Sequence, residues 1–433
     1  MLSLYIHIPF CHHKCSYCSF HVIPLDWLKN PEQTTTHWPL IHNYLDALHR
    51  QIDTFSQQFQ NQSIQTIYFG GGTPSIIWTK ELIKIIDHIM NVRDTEHLAE
   101  LSIEINPDPI DQMLDLIQTI TKYYKHLPRV RFSIGIQSFD NEVLKESGRQ
   151  YNFQACVDFL RRLVPLKQDN TVFNFDFIAF GKFNTTRKGD RQLRNPSVLD
   201  FFTHFVESGF ADSFSLYTLE LFEWSERYQQ QINHYSHAKE WFGLKKYWSD
   251  DDVYEEFQLL KEILLHGWYQ RYEVSNYSHA GKNSIHNRIY WSMGQWLGLG
   301  TGATSHINYE VAINNSQWSV IARNEAIHNK KIVSVHFTTT SSLKEFMAGN
   351  YIDEKKTEYL TEHEYLKEKF IMWLRLQEGI IITHELEQIL TSDREAKVLF
   401  YGEQWLCERN WEILRLTDSG MDVYNSFVTE IMK

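Results

Sequence analysis

The sequence predicts an α/β protein: a parallel sheet with its helices outside, as in a full or partial (β/α)6 barrel, followed by a smaller, mainly helical domain. Three observations carry this. Strand-like and helix-like periodicities alternate six times through the first half of the chain. Right-handed crossovers between parallel strands put the intervening helices on the outer face. Chemically active residues recur at the C-terminal ends of the strands, where such folds place their ligands.

The expected strands are residues 4–10, 64–70, 99–105, 129–136, 173–180 and 213–221, each a short apolar run. After the first, Leu40, Ile41, Tyr44, Leu45, Leu48, Ile52, Phe55 and Phe59 mark one helical face, and 80–90, 111–124, 153–164 and 197–208 carry similar faces. Residues 224–250, with their Gln, Tyr, His and Trp, read as a flexible lid or insertion. A helix over 251–268 then leads into YEVSNY and the Gly-rich LGLGTGATSHI at 297–307. From about 310 onward a mostly helical reading ends in a short strand and a closing helix, a winged-helix-like arrangement. The expected domains are therefore 1–225, 226–309 and 310–433.

Composition narrows the function. With 42 % apolar and 22 % charged residues in 433, the chain buries a sizeable core, so general disorder is excluded. Its 54 acidic against 42 basic side chains give a net charge of −12, which provides no footprint for a long polyanion and makes nucleic acid an unexpected partner. There is no apolar run near 18 residues, so no spanning helix is expected, which leaves peripheral membrane association open. Met1 to Phe10 holds no Lys or Arg ahead of the cysteines, so a secretory signal is not expected and a cytoplasmic location is. Five cysteines do not suit a disulfide scaffold.

Three of the five, Cys11, Cys15 and Cys18, form C-x3-C-x2-C on the loop after the first strand. Three thiolates at this spacing can each hold one iron of a [4Fe–4S] cube and leave the fourth iron open to the amino and carboxylate groups of S-adenosylmethionine (SAM). The alternative is a Cys3His zinc site completed by His7, His12, His13 or His21. The second strand ends in Gly70-Gly71-Gly72-Thr73-Pro74, either a close approach to a ligand or a tight turn or phosphate loop. Glu104, Gln137, Arg149 and Asp176 follow at or near later strand ends. Together they suggest a polar ligand bearing ammonium, carboxylate and ribose hydroxyls. Cys156 and Cys407 read as small buried hydrophobes.

YIHIPFCHHKCSYCSF, YFGGGTPS, SIEINPDP, SIGIQSFD with its following GR, and YEVSNYSHAGKNSIHNRIYW before LGLGTGATS resemble the radical SAM oxygen-independent coproporphyrinogen III oxidase family across nearly the whole chain. The resemblance implies a partial (β/α)6 radical SAM barrel, a [4Fe–4S] cluster on Cys11, Cys15 and Cys18, and a SAM pocket of Tyr5, Tyr17, Gly71, Gly72, Thr73, Glu104, Gln137, Arg149 and Asp176. Arg149 would pair the methionyl carboxylate, and Glu104 and Asp176 would accept from hydroxyls or ammonium. An electron donor would reduce the cluster.

The family has two branches. The oxidase branch, which decarboxylates coproporphyrinogen III to protoporphyrinogen IX, has a further cysteine two positions after the third and an N-terminal extension. Here that position is Phe20 and the first strand begins by residue 4. Both features are similar to the other branch, the HemW-like proteins, which bind haem and pass it to acceptor proteins. His286-Asn287-Arg288-Ile289-Tyr290-Trp291 fits that branch's H-N-x-x-Y-W pattern. His286 would then be an axial ligand, with Tyr290 and Trp291 against the porphyrin; a segment of this composition is otherwise core. The expected ligand is haem or another tetrapyrrole, and no catalytic residue is assigned. The chain departs from the family after Asp176, where Gly181-Lys182-Phe183-Asn184-Thr185 lies, and again at Leu221-Phe222-Glu223-Trp224.

Overall fold

All six expected strands form. The computed structural model describes residues 1–25, 37–181, 196–219, 250–310, 331–410 and 412–433. Residues 182–185 and 221–224, where the sequence departs from the family, lie outside these, as does nearly all of the expected lid at 224–250. The strands are β1 (Leu2–Ile8), β2 (Ile64–Gly71), β3 (Glu100–Ile105), β4 (Val130–Gln137), β5 (Thr171–Ala179) and β6 (Ser213–Thr218). They lie side by side in chain order and every pair is parallel. The crossovers carry α1 (His37–Gln58), α2 (Thr79–Val92), α3 (Ile110–Tyr123), α4 (Asn141–Glu146), α5 (Phe153–Leu163) and α6 (Pro196–Glu207), and α7 (Asp250–His266) follows β6.

Alternation along each strand separates a dry face from a polar one. Ile67, Phe69, Leu101, Ile103, Phe132, Ile134, Phe173 and Phe175 join the main apolar core, with Ile41, Tyr44, Leu45, Leu48 and Ile52 of α1 in the same cluster. The intervening residues face one another across the lumen and satisfy each other there. Asn174 Nδ2 donates to Ser133 Oγ at 2.9 Å, to Asp176 Oδ1 at 2.7 Å and to Ser215 Oγ at 2.9 Å, and Arg131 Nη1 donates to Ser213 Oγ at 2.9 Å. Cys156 and Cys407 are buried, as their apolar surroundings in the sequence suggest.

The sheet runs on at both edges. Beyond β6 come β8 (Asn276–Ser278) and β7 (Gln270–Glu273), both antiparallel; beyond β1 lies β9 (Trp296–Leu299), still parallel, then the antiparallel β10 (Thr304–Asn308), β11 (Ile332–Thr339) and β12 (Ile352–Thr361), giving 12 strands in all. The strands β11 and β12 are additions to the mostly helical reading after 310. The sequence of β12, IDEKKTEYLT, is charged and has no buried residue because it forms the sheet's edge, where charge discourages further pairing and imitates a helix surface.

A second apolar cluster, including Phe370, Leu374, Ile380, Leu386, Leu414, Phe427 and Ile431, holds the C-terminal helices and a three-stranded sheet of Ile380–Ile381, Ile413–Leu416 and Cys407–Arg409. We therefore propose that the second unit starts at the helix Glu362–Trp373 rather than near 310. The two units are joined by buried charge. Asp422 receives Arg271 at 2.7 Å and Lys261 at 2.6 Å, and all three side chains are at least 93 % buried. Removing the carboxylate strands two cations, only partly relieved by the half-exposed Asp418. Asp422→Ala is expected to lower unfolding free energy by about 3 kcal/mol, read by chemical denaturation.

Candidate cofactor site at the barrel mouth

The loop after β1 brings Cys11, Cys15 and Cys18 to the rim of a cavity of about 370 Å³ at the C-terminal ends of the strands. Local bonds shape this loop. Cys18 N donates to Cys15 O at 3.1 Å, Ser16 N to Ser147 O at 3.2 Å beyond α4, and Ile23 N to Pro9 O at 2.7 Å. Among the described residues no group of three or more His, Cys, Asp or Glu side chains is arranged as a metal site. His7, one expected zinc ligand, has both ring nitrogens engaged, by Tyr5 OH at 3.1 Å and His21 O at 2.9 Å.

The three thiols differ. Burial pushes Cys11 up to about 12 and raises Cys18. Burial also acts on Cys15, but the Arg149 guanidinium and His13 outweigh it and draw that thiol below its usual value. Thr73 Oγ1 lies 3.5 Å from Cys11 Sγ and accepts from Asn106 Nδ2 at 3.0 Å; Asn106 Oδ1 in turn accepts from Arg149 Nη1 at 2.7 Å. Arg149 Nη2 donates to Tyr17 OH at 2.7 Å, while its Nε is buried without a partner.

The glycine run is explained first by packing. Gly72 N and Thr73 N donate to Ile8 O and Phe10 O, each at 2.8 Å, and a Cβ on Gly72 would stand 2.6 Å from Phe10 O. Gly71 has φ +106°, and a Cβ there would meet the His7 ring at 2.4 Å. The run thus lets β2 close against the start of the cysteine loop while Gly71 and Gly72 still line the cavity.

Glu104 ends β3 with both oxygens held: Tyr68 OH donates to Oε1 at 2.9 Å and Gly71 N to Oε2 at 3.2 Å. Its removal from water raises its pKa to about 7, with neighbouring Asp176 adding to the rise. Burial likewise raises Asp176, which accepts from Ser133 Oγ and Asn174. Gln137 sits at φ 68° beside an irregularity in the β4–β5 register, a strained conformation of the kind found at ligand sites.

Tyr17, Gly71, Gly72, Thr73, Glu104, Gln137, Arg149 and Asp176 therefore share one cavity with the three cysteines. Tyr5 is not among its lining residues; its ring stacks on Tyr68 at 6.0 Å. Sequence reasoning missed Tyr68, Asn106, Ser133, Tyr151, Ser215 and Tyr217, which also line it. For those on strands the signal was present, as polar residues alternating with apolar ones.

The HNRIYW segment is elsewhere. It forms α8 (Ile285–Trp291), packed at the N-terminal ends of the strands, beneath the cavity. His286 is fully buried, its Nδ1 2.7 Å from Thr66 Oγ1 and its Nε2 2.8 Å from Tyr290 OH. Trp291 packs under Arg375 at 4.2 Å. In the haem-free protein both nitrogens of His286, the residue expected as an axial ligand, have protein partners and the side chain is fully buried. Only Asn287 of this motif reaches the cavity.

Residues 5–185 match the Radical SAM superfamily model. Over 435 residues the chain is 26 % identical to the haem chaperone HemW of Lactococcus lactis, covering 98 % of this chain and 95 % of that one. With HemW of Synechocystis it shares 31 % over 314 residues, 71 % of this chain and 66 % of the relative. The chain belongs to the HemW-like radical SAM family. The same fold is found in coproporphyrinogen III oxidase of Escherichia coli, with TM-score 0.70 at 18 % identity over 100 % of this chain and 90 % of that one. Membership of the radical SAM family implies a [4Fe–4S] cluster and SAM. Among the described residues no helix is long and apolar enough to cross a membrane.

The unfolded chain releases the Glu104 proton near 4.5 and the folded chain near 7, so stability from this group is present below 4.5 and lost as pH rises to 7. Glu104→Gln removes that dependence. Between about pH 5 and about pH 8, urea titrations of the ligand-free protein are expected to show the unaltered chain losing roughly 2–3 kcal/mol more than the variant.

Proposed function

We propose that the chain is a haem chaperone that holds a [4Fe–4S] cluster on Cys11, Cys15 and Cys18, binds SAM in the adjoining cavity, and passes haem to an acceptor protein. The observation that carries this reading is the similarity to HemW over 98 % of the chain. Phe20, which is exposed at the cavity rim where the resembled oxidase branch has a further cysteine, agrees with it.

The residues present fit the cofactors. Three thiols spread about one rim suit one iron each, and Cys15 is eased toward thiolate by Arg149. The buried, partnerless Nε of Arg149 is a donor in need of an acceptor, which the methionyl carboxylate of SAM would supply. Glu104 and Asp176 offer carboxylate oxygens to ammonium or ribose hydroxyls. When bound, such a cluster supplies an open iron for SAM and the electron for its reductive cleavage. A cellular electron donor is then a required partner.

Haem binding is drawn from the relatives and not from His286, whose nitrogens are both taken. Anaerobic reconstitution followed by gel filtration with haem tests the whole reading. Expected are about four iron per chain, lost in Cys15→Ala, and a Soret band that travels with the protein and persists in His286→Ala. A colourless zinc protein, or one that retains no haem, would overturn it. So would clear conversion of coproporphyrinogen III by the same sample with SAM and reductant, which would make the chain an oxidase.

A further inference from the structure

Below the cavity, the His286 imidazole lies against the ring of Tyr68, with centroids 4.9 Å apart and planes 25° from parallel. The imidazole cannot slide or turn freely. Thr66 Oγ1 holds Nδ1 and Tyr290 OH holds Nε2, at 2.7 and 2.8 Å. Its backbone is fixed as well, because His286 N donates to Glu100 Oε1 at 3.2 Å and Ile285 N to Glu100 Oε2 at 3.1 Å. Thr66 and Tyr68 are two residues apart on β2 and so present the same face. Tyr68 is the side chain whose hydroxyl, 2.9 Å away, supports Glu104 in the cavity.

We propose that His286 is a positioning residue for the SAM pocket: pinned between Thr66 and Tyr290, it backs the Tyr68 ring so that the phenol stays on Glu104. The inference rests on the reading of this cavity as the SAM site and adds a residue that does not line it. The Tyr5 ring also stacks on Tyr68, with centroids 6.0 Å apart, but the imidazole is the closer of these two aromatic neighbours. Without the imidazole a void opens beneath the ring, and Glu104 loses the donor that favours its charged form. The groups facing Glu104 are Tyr68 from β2, Tyr5 from β1, Asp176 from β5 and Tyr290 from α8, with Gly71 N as the other donor. Among these, Tyr68 is the side chain that donates to Glu104, so a loss transmitted from His286 is read through it.

The test measures SAM affinity by equilibrium dialysis of the cluster-loaded protein across a pH series, for Tyr68→Phe, His286→Ala and the double variant. Each single change is expected to weaken SAM about tenfold near neutral pH and to move the rise of affinity with pH toward higher pH. The double variant should be within about twofold of Tyr68→Phe alone, since both act on one contact. In a Glu104→Gln background His286→Ala should have almost no effect. Should His286→Ala fail to fold, His286→Gln carries the same expectation, because it offers polar atoms to Thr66 and Tyr290 but no aromatic face. Additive losses, or weaker binding with an unmoved pH profile, would overturn the proposal and leave His286 a packing residue. Absence of SAM binding by the unaltered, cluster-loaded chain would instead overturn the reading of the cavity, and this inference with it.

Discussion

Much of this structure depends on one buried carboxylate. Glu100, wholly inaccessible at the start of β3, accepts from Ser102 Oγ at 3.1 Å, from the backbone of Ile285 and His286, and from Arg129 at 3.3 Å. A carboxylate with no water must have its charge met by the protein, and here the first turn of α8 supplies much of the answer. That requirement fixes α8 against the base of the lumen. Arg129 reinforces it by donating to Asn283 O at 2.7 Å and Gly281 O at 2.6 Å in the chain leading into the helix. The base of the barrel is therefore closed by hydrogen bonds to a polar strand face, whereas its outside is closed by apolar packing.

This division explains what could be read in the sequence. The outward faces of β1 to β6 and the crossover helices are long apolar patterns, and they sit where periodicity placed them, within a residue or two at most ends. The cysteine loop and the polar strand ends were legible because unusual residue types cluster there. The lumen was less so. Ser133, Asn174 and Ser215 are common polar residues singly, and their meaning emerges only when three strands bring them within hydrogen-bond reach of Asp176 and one another. The strands after 330 were missed because an exposed edge is allowed to be as polar as a helix surface. The partners of His286 were hidden for a related reason: residue type gives ligating capacity, but only the fold reveals which groups its nitrogens meet.

The two ends of the lumen differ in kind. At the mouth, groups are left with capacity to spare: thiols without metal-like closure, an Arg149 nitrogen without an acceptor, carboxylates held toward the neutral form by burial. At the base, Glu100 and both ring nitrogens of His286 are committed to protein partners. Spare capacity beside the cavity, over a backing in which Glu100 and His286 are committed, is what separates a surface awaiting a ligand from one that shapes it.

The joint between the barrel and the C-terminal unit also involves the base. Glu273 on β7 is fully buried, with Arg375 of the second unit 3.8 Å away; Val274 N donates to Arg375 O at 3.0 Å, and Gln377 N to Tyr272 O at 3.1 Å. Arg375 also covers Trp291 of α8. Two apolar cores need not mean two exchangeable modules. A tail from an unrelated chain would have to reproduce a cation over an indole, a counter-ion for a sealed carboxylate and a backbone pairing in register. Chimaeras cut between the units should therefore be far harder to make than the linear division of the sequence suggests, and the pair is best treated as a single heritable piece.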